Sequence, residues 1–220
     1  MVDVVRRRGR GRAAERHQPL GEAAAQYASM GWPVCVGAHT YRGTRASMER
    51  GRACSCDRVG CPDPGSHPVS PAWQMQATVD LNMIQRWWET RPEANVILVT
   101  GRVFDVLDVP AAAGSAALEQ MRAAGTAVGP VALASQDRML FFVTTKGSPA
   151  DEDEWWSCGL ESEQESVVAG LRWHCRDSYV LAPPSRDGSG AAARWLRSPH
   201  EHPLPDALRL LEYLVDACEA

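Results

Sequence analysis

Lysine is almost missing from this chain of 220 residues: Lys146 is the only one, so arginine carries nearly all of the positive charge. No apolar run approaches the roughly 20 residues that a membrane-spanning helix needs, and no apolar signal core follows the arginines near the N-terminus. We therefore expect a cytoplasmic protein with no membrane partner. The seven cysteines are an odd number, which argues against a disulfide framework in that compartment.

The net charge of −4 is divided unevenly along the chain. Residues 1–17 contain six arginines and two acidic residues, which gives this basic arm a charge of +4 and leaves −8 for the rest. Short arms of this composition are usually solvated, so we expect residues 1–17 to be disordered. Contact between the arm and nucleic-acid phosphates is the alternative, whereas the acidic remainder argues against a broad phosphate-binding face.

Hydrophobic periodicity predicts helices interspersed with strands. Apolar residues recur at helical spacing in residues 18–30, 79–90, 111–124 and 205–218. Short apolar runs bounded by turn residues predict strands at residues 32–36, 95–101, 103–110, 131–134, 139–143, 166–173, 178–182 and 192–196. The predicted fold class is α/β (α+β), with a central mixed sheet flanked by helices. The length suits one domain, which we place at residues 18–200, followed by a C-terminal helix within residues 201–220.

A segment without periodicity, residues 37–72, interrupts this pattern, and so long an irregular segment in a compact domain needs something to hold it. It contains the motif Cys54-x-Cys56-x4-Cys61-x5-His67. Zinc favours four tetrahedral thiolate and imidazole ligands, and a closed set of protein ligands makes a structural site. The segment is therefore predicted to be a cysteine-rich zinc-loop insertion. Since the spacing differs from the usual Cys-x-x-Cys knuckle, three incidental cysteines in an irregular loop are the alternative.

A carboxylate lies near the end of the most apolar part of the sequence. Residues 95–101 and 103–110 read as two buried strands joined at a glycine, and Asp108 falls near the end of the second. Side chains two apart on a strand share a face, so an acid at position 110 would complete a pair of oxygen ligands for Mg²⁺. Position 110 is instead Pro110, which offers no ligand, and Asp105 is expected on the opposite face.

Three further short sequence motifs occur in a characteristic order along the chain. They are Trp32-Pro33-Val34, then Gln85-Arg86-Trp87-Trp88 ahead of Arg91-Pro92-Glu93-Ala94-Asn95-Val96, and Tyr179-Val180-Leu181-Ala182-Pro183-Pro184-Ser185. Together with the strand that contains Asp108, they resemble the N-terminal domain of bifunctional DNA primase/polymerases (Prim-Pol), of the archaeo-eukaryotic primase superfamily. The resemblance runs from about residue 20 to about residue 196. It implies a role in DNA replication and, if the protein is active, Mg²⁺ or Mn²⁺ as cofactor.

The family's catalytic pattern has three acids and one histidine, of which the resemblance leaves only Asp108. It places Pro110 at the second acid, Met139 at the histidine and Arg172 at the third acid. Asp108 is therefore predicted to be the remnant of a degenerate centre. Arg138 and Arg172 are candidate nucleotide-binding residues, although Arg138 is expected to point to the face opposite the site, since it neighbours Met139 on a strand.

The resemblance extends to the cysteine-rich loop. Related sequences often carry a similar loop that ends in Gly-Lys-His-Pro, which supports the zinc assignment. Ser66 stands where the lysine would be, so if that lysine helps to hold a nucleotide phosphate, its function is lost here.

Three functions remain open. The first is a catalytically inactive Prim-Pol-like module that binds a nucleotide, DNA or a regulatory partner. The second is an active primase/polymerase with unorthodox ligands, for which Asp105, Asp108 and Asp177 would have to converge. The third is a protein-interaction module that uses Trp155 and Trp156, which lie in an acidic run, or the C-terminal helix.

Overall fold

The computed structural model describes residues 19–41, 53–134, 137–145 and 170–220. The basic arm of residues 1–17 and the acidic run with Trp155 and Trp156 lie outside these ranges, so the expectations about them stay predictions.

Four of the five described helices lie close to where periodicity places them, and the short helix at residues 73–76 was not predicted. The five are α1 (Leu20–Ser29), α2 (Trp73–Gln76), α3 (Leu81–Thr90), α4 (Ala111–Ala123) and α5 (Ala207–Glu219). Helix α3 is capped by Asp80, whose carboxylate accepts hydrogen bonds from the N–H groups of Asn82 and Met83 and so satisfies two of the free donors of its first turn. Within the described ranges, no helix has the length and apolar character needed to cross a membrane.

The described strands form three hydrogen-bonded sheets. They are β1 (Val34–Gly37), β2 (Thr40–Tyr41), β3 (Ala53–Cys54), β4 (Asn95–Val99), β5 (Phe104–Pro110), β6 (Val131–Leu133), β7 (Arg138–Thr144), β8 (Arg172–His174), β9 (Tyr179–Leu181) and β10 (Arg194–Arg197). The larger sheet has the order β10-β6-β7-β5-β8, the smaller one the order β1-β4-β9, and β2 pairs with β3. Every pairing is antiparallel.

The mixed α+β class is therefore confirmed, but the strands do not form the one central mixed sheet that was expected. Strands β4 and β5 are consecutive in the sequence and yet belong to different sheets. The chain turns between them at Gly101, whose φ of +79° favours glycine. A Cβ at this position would lie 2.2 Å from the Cα of Arg176, so the turn also packs directly on the loop that leads into β9.

A first core joins the larger and the smaller sheet to helices α1 and α3. It contains Val96 and Leu98 from β4 and Phe104 and Val106 from β5. The indole of Trp32 packs there against Tyr27 of α1 and against two rings of the larger sheet, Phe104 and Phe142, the latter at a centroid distance of 5.4 Å. The two sheets thus share one apolar interior.

A second core covers the other face of the larger sheet. Leu107 and Val109 of β5 are fully buried there beneath helices α4 and α5, the latter contributing Leu210 and Leu214. Strand β5 is buried on both faces, which explains why its sequence reads as a nearly continuous apolar run. The C-terminal helix packs on this sheet.

Candidate functional site

Asp108 lies on β5 just beyond the first core, and its side chain is engaged by an arginine. Its Oδ1 atom accepts a hydrogen bond from Nε of Arg138 at 2.8 Å, and its carbonyl oxygen accepts one from Nη2 of the same residue at 3.0 Å. The pair combines opposite charges with hydrogen-bond geometry, which makes it one of the stronger polar contacts available to a protein. Asp108 is only 6 % exposed.

Two further cationic or ionisable side chains come from β8, the edge strand beside β5. The register pairs Asp108 with Arg172 and Val106 with His174, and paired residues share a face in an antiparallel sheet. His174 lies 3.5 Å from Oδ2 of Asp108 through Nε2, and its Nδ1 lies 2.9 Å from Oγ of Ser178. Arg172 is exposed beside them.

These side chains form the floor of a cleft of about 530 Å³, and we call Arg138, Arg172 and His174 the cationic floor. Two loops that Asn95 of the smaller sheet holds together supply a second polar wall, with Asp63 and Ser66 from one and residues 187–189 from the other. A cleft of this size falls in the range of roughly 300–1,000 Å³ typical of small-molecule sites.

The structure corrects the expected direction of Arg138. The ladder between β5 and β7 pairs Asp108 with Leu140 and Pro110 with Arg138, so Arg138 lies on the same face as Asp108. Met139 points the other way into the second core, where it is 3 % exposed and packs under Gly114 of α4. Arg138, and not position 139, therefore faces the cleft.

Pro110 leaves no ligand beside Asp108, as the sequence predicts. It is the last residue of β5 and also the N-cap of helix α4. A divalent cation such as Mg²⁺ requires several oxygen ligands. On this face Asp108 instead contacts Arg138 and His174 and has Arg172 as its cross-strand partner, so the donor set does not fit a metal centre of the polymerase type.

The unorthodox set of Asp105, Asp108 and Asp177 does not form a metal site. Asp105 lies on the opposite face of β5, as expected, where it accepts a hydrogen bond from Nε1 of Trp173 at 3.3 Å. Asp177 sits in the turn between β8 and β9, with an Oδ2 atom 3.8 Å from Nε of Arg176. Within the described ranges, the one converging group of three or more possible metal-ligand residues is a different one.

That group is the set of Cys54, Cys56, Cys61 and His67, whose ligand atoms all lie within 4.8 Å of one another. Nε2 of His67 is 3.4 Å from Sγ of Cys54 and 3.3 Å from Sγ of Cys61. In a tetrahedral site with metal–ligand bonds of about 2.1–2.3 Å, neighbouring ligand atoms are roughly 3.6 Å apart. This cluster could therefore hold a metal ion with little rearrangement.

The hydrogen bond made by His67 suits this role, whereas the pKa values of the cluster thiols shift in opposite directions. Nδ1 of His67 lies 2.8 Å from the carbonyl oxygen of Pro68, which can only accept, so Nδ1 carries the proton and Nε2 offers a lone pair to the cluster. Burial raises the pKa of the Cys56 thiol, but hydrogen bonds from the backbone of Arg58 and from the cluster outweigh it and lower the pKa to about 7. Burial raises the pKa of Cys61 to about 11.

One buried amide connects the cluster with the cleft. Nδ2 of Asn95, the first residue of β4, donates to the carbonyl oxygen of Gly65 at 2.8 Å and to that of Arg186 at 2.7 Å. Its Oδ1 accepts from the N–H of Arg186 at 3.1 Å. The loop that carries His67 is thereby fixed to the segment after Pro183-Pro184, and the two together form the second wall of the cleft.

Two residues of this site, His174 and Asn95, were not predicted as site residues from the sequence. Alternation along β8 carries a signal for His174, because it is two residues from Arg172 and so shares its face. For Asn95 the local signal is only a polar residue at the start of a buried strand. Its partners lie 30 and 91 residues away in the sequence.

The sequence comparison agrees with this architecture. The sequence model of the family described as bifunctional DNA primase/polymerase, N-terminal (Prim-Pol), matches residues 24–207, which covers most of the chain and all of the cleft. No curated protein matches the chain significantly. On the strength of the family match, this chain belongs to the Prim-Pol family.

Proposed function

We propose that this Prim-Pol family protein binds a nucleotide or nucleic acid in the cleft and does not polymerise DNA. The observation that carries the proposal is the state of Asp108, whose carboxylate is bound by Arg138 at 2.8 Å and faces Arg172 across the β5–β8 ladder.

Polymerase chemistry depends on two metal ions about 4 Å apart, held by carboxylates, which stabilise the attacking and leaving oxygens. In this chain the second acid is replaced by Pro110, and Arg172 supplies a positive charge to the space in front of Asp108. Placing a divalent cation there would bring like charges together within a few ångströms, at a cost that a single carboxylate does not offset.

The same substitutions favour an anionic ligand. Guanidinium groups match the geometry of phosphate oxygens and can bind them in a bidentate manner. The cleft presents two guanidinium groups and an imidazole on its floor and has room for a small molecule. Loss of the metal ligands therefore leaves a binding site whose chemistry still suits phosphate.

We also propose that the metal of the Cys/His cluster is zinc. Three sulfur ligands and one imidazole form a closed donor set of the kind that structural zinc sites use. The ion would hold residues 54–67 in place and, through Gly65, support the wall of the cleft.

A direct test measures binding and extension on the same preparation. Isothermal titration with dATP and fluorescence anisotropy with a labelled single-stranded oligonucleotide should detect binding of at least one of them. Extension of a labelled primer should not occur under the same conditions. Absence of binding to both ligands would refute the proposed binding function, and metal-dependent extension would refute the proposed lack of catalysis.

A further inference from the structure

We infer that the cationic floor binds the phosphate groups of a free nucleoside triphosphate directly, with no divalent cation between protein and phosphate. This inference rests on the proposed nucleotide-binding function and goes further, because it names both the ligand class and the way in which charge is balanced.

The register between β5 and β8 brings the Arg172 side chain close to Asp108. Arg172 is the cross-strand partner of Asp108, and such partners have Cβ atoms about 5 Å apart. The guanidinium group of Arg172 can therefore reach the region over Asp108 where a carboxylate-bound cation would sit. A positive charge built into the protein takes the place that a metal ion would take in a carboxylate centre.

Asp108 holds the side chain of Arg138 in position. The two bonds from Arg138 to Asp108 use Nε and one N–H of Nη2, that is, two of the five N–H groups of a guanidinium. The remaining donors belong to a side chain that is already ordered, so little entropy is lost when it binds a phosphate. Asp108 is thus a positioning residue for Arg138.

The cleft is polar in two different ways: the larger sheet supplies its cationic floor, and the loops tied to Asn95 of the smaller sheet supply an acidic wall. Asp63 and Asp187 line that wall together with the hydroxyl groups of Ser66 and Ser189. The Oδ1 atom of Asp187 is engaged by the N–H and hydroxyl of Ser189 within its own loop. A phosphate chain is repelled by this wall and attracted to the floor, whereas sugar hydroxyls and base amino groups are good partners for carboxylate and hydroxyl oxygens.

This polarity distinguishes a free nucleotide from a nucleic acid. A nucleic-acid strand that crosses the cleft would bring phosphates towards the acidic wall as well as the cationic floor, at an electrostatic cost. A nucleoside triphosphate carries its negative charge at one end only, and so matches a cleft with one cationic and one acidic side. The geometry therefore favours the mononucleotide.

The test is isothermal titration of the full chain with dATP, once in buffer with EDTA and once with Mg²⁺. We expect binding in EDTA and no gain in affinity from Mg²⁺, because the metal competes with the floor for the phosphates. Arg172→Ala should weaken binding on the order of tenfold, as loss of a charge-assisted hydrogen bond implies. Arg194→Ala, which removes an exposed arginine from β10 at the far edge of the same sheet, is the matched control and should leave affinity unchanged.

Asp108→Asn separates direct binding from metal-mediated binding. If the floor binds phosphate directly, dATP should still bind in EDTA to Asp108→Asn, because the side-chain oxygen of asparagine can still accept from Nε of Arg138. If a metal ion mediates binding, the same change should abolish it. Arg172→Lys, which keeps the charge but loses the planar fork, should give an intermediate affinity and guards against misreading a folding defect in the alanine variant.

Each other outcome has a clear meaning. Binding that requires Mg²⁺ and disappears in Asp108→Asn would overturn this inference and leave the proposed nucleotide binding intact. Binding of a single-stranded oligonucleotide but not of dATP would overturn the assignment of a free nucleotide. Failure to bind either ligand in both buffers would overturn the inference and the proposed function together.

Discussion

Arg172 and Asp108 face each other across the ladder between β8 and β5. The carboxylate binds Arg138 of β7 on its other side at 2.8 Å, and His174 of β8 lies 3.5 Å from it. In a protein of a primase/polymerase family, the strands on both sides of this carboxylate thus carry basic side chains.

The first prediction concerns catalysis. We expect no extension of a labelled primer with Mg²⁺ or Mn²⁺, because one carboxylate cannot hold two metal ions about 4 Å apart. Pro110→Asp should not restore activity while Arg172 remains. The assay uses protein free of host polymerase, with Asp108→Ala beside it. Metal-dependent extension that vanishes in Asp108→Ala would show that Asp108 belongs to an active centre.

The second prediction concerns the Cys/His cluster. Elemental analysis should find about one zinc per chain, since the cluster offers a single four-ligand site. Cys56→Ser should lose the metal and lower the melting temperature, because binding of a structural ion contributes to folding. Cys218→Ser, which changes a cysteine in α5 outside the cluster, is the control and should keep the zinc. Equal metal content in both variants would contradict the assignment.

The third prediction concerns Asn95. Asn95→Ala should reduce the free energy of unfolding by about 1–3 kcal/mol, because it leaves buried polar groups of Gly65 and Arg186 without their partner. Urea unfolding followed by tryptophan fluorescence measures the loss. Asn82→Ala in the exposed first turn of α3 is the matched control and should change stability by less than about 0.5 kcal/mol. A similar small effect at Asn95 would mean that the amide does not join the two loops.

The fourth prediction separates Met139 from the cleft. Met139→His places an imidazole in the second core beneath α4 and should cost about 1–3 kcal/mol, as expected for a buried polar group without a compensating hydrogen bond. It should leave dATP affinity unchanged, because the side chain lies on the face opposite Asp108. Met75→His, at a methionine that is 85 % exposed, should affect neither. A histidine at 139 that strengthens nucleotide binding would mean that this face opens to the cleft.

Local patterns predicted the elements and the metal cluster well. Helix α3 and strand β5 can be read from spacing alone, since helical and strand periodicities depend only on neighbours in the sequence. The Cys/His cluster was found for a related reason, because its four members lie within 14 residues of one another, from Cys54 to His67. Their convergence agrees with the prediction, while the identity of the metal stays a proposal.

Features that depend on long-range pairing were not predictable in this way. The direction of Arg138 follows from the register of β7 against β5, and a shift of one residue would reverse it. The placement of β4 and β5 in different sheets follows from the turn at Gly101 and from the pairing of β4 with β9, which lies about 80 residues away in the sequence. The sequence does not specify such registers without knowledge of which strands meet.

The position of Asp108 at the edge of the first core has a consequence for how this family can diverge. Val106 anchors β5 in that core and Val109 anchors it in the other, whereas Asp108, Arg138 and Arg172 pack into neither apolar cluster. Residues at such a boundary can be exchanged, charge for opposite charge, while both interiors keep their volume and packing. The scaffold can therefore accept new side-chain chemistry in this cleft while the fold stays the same.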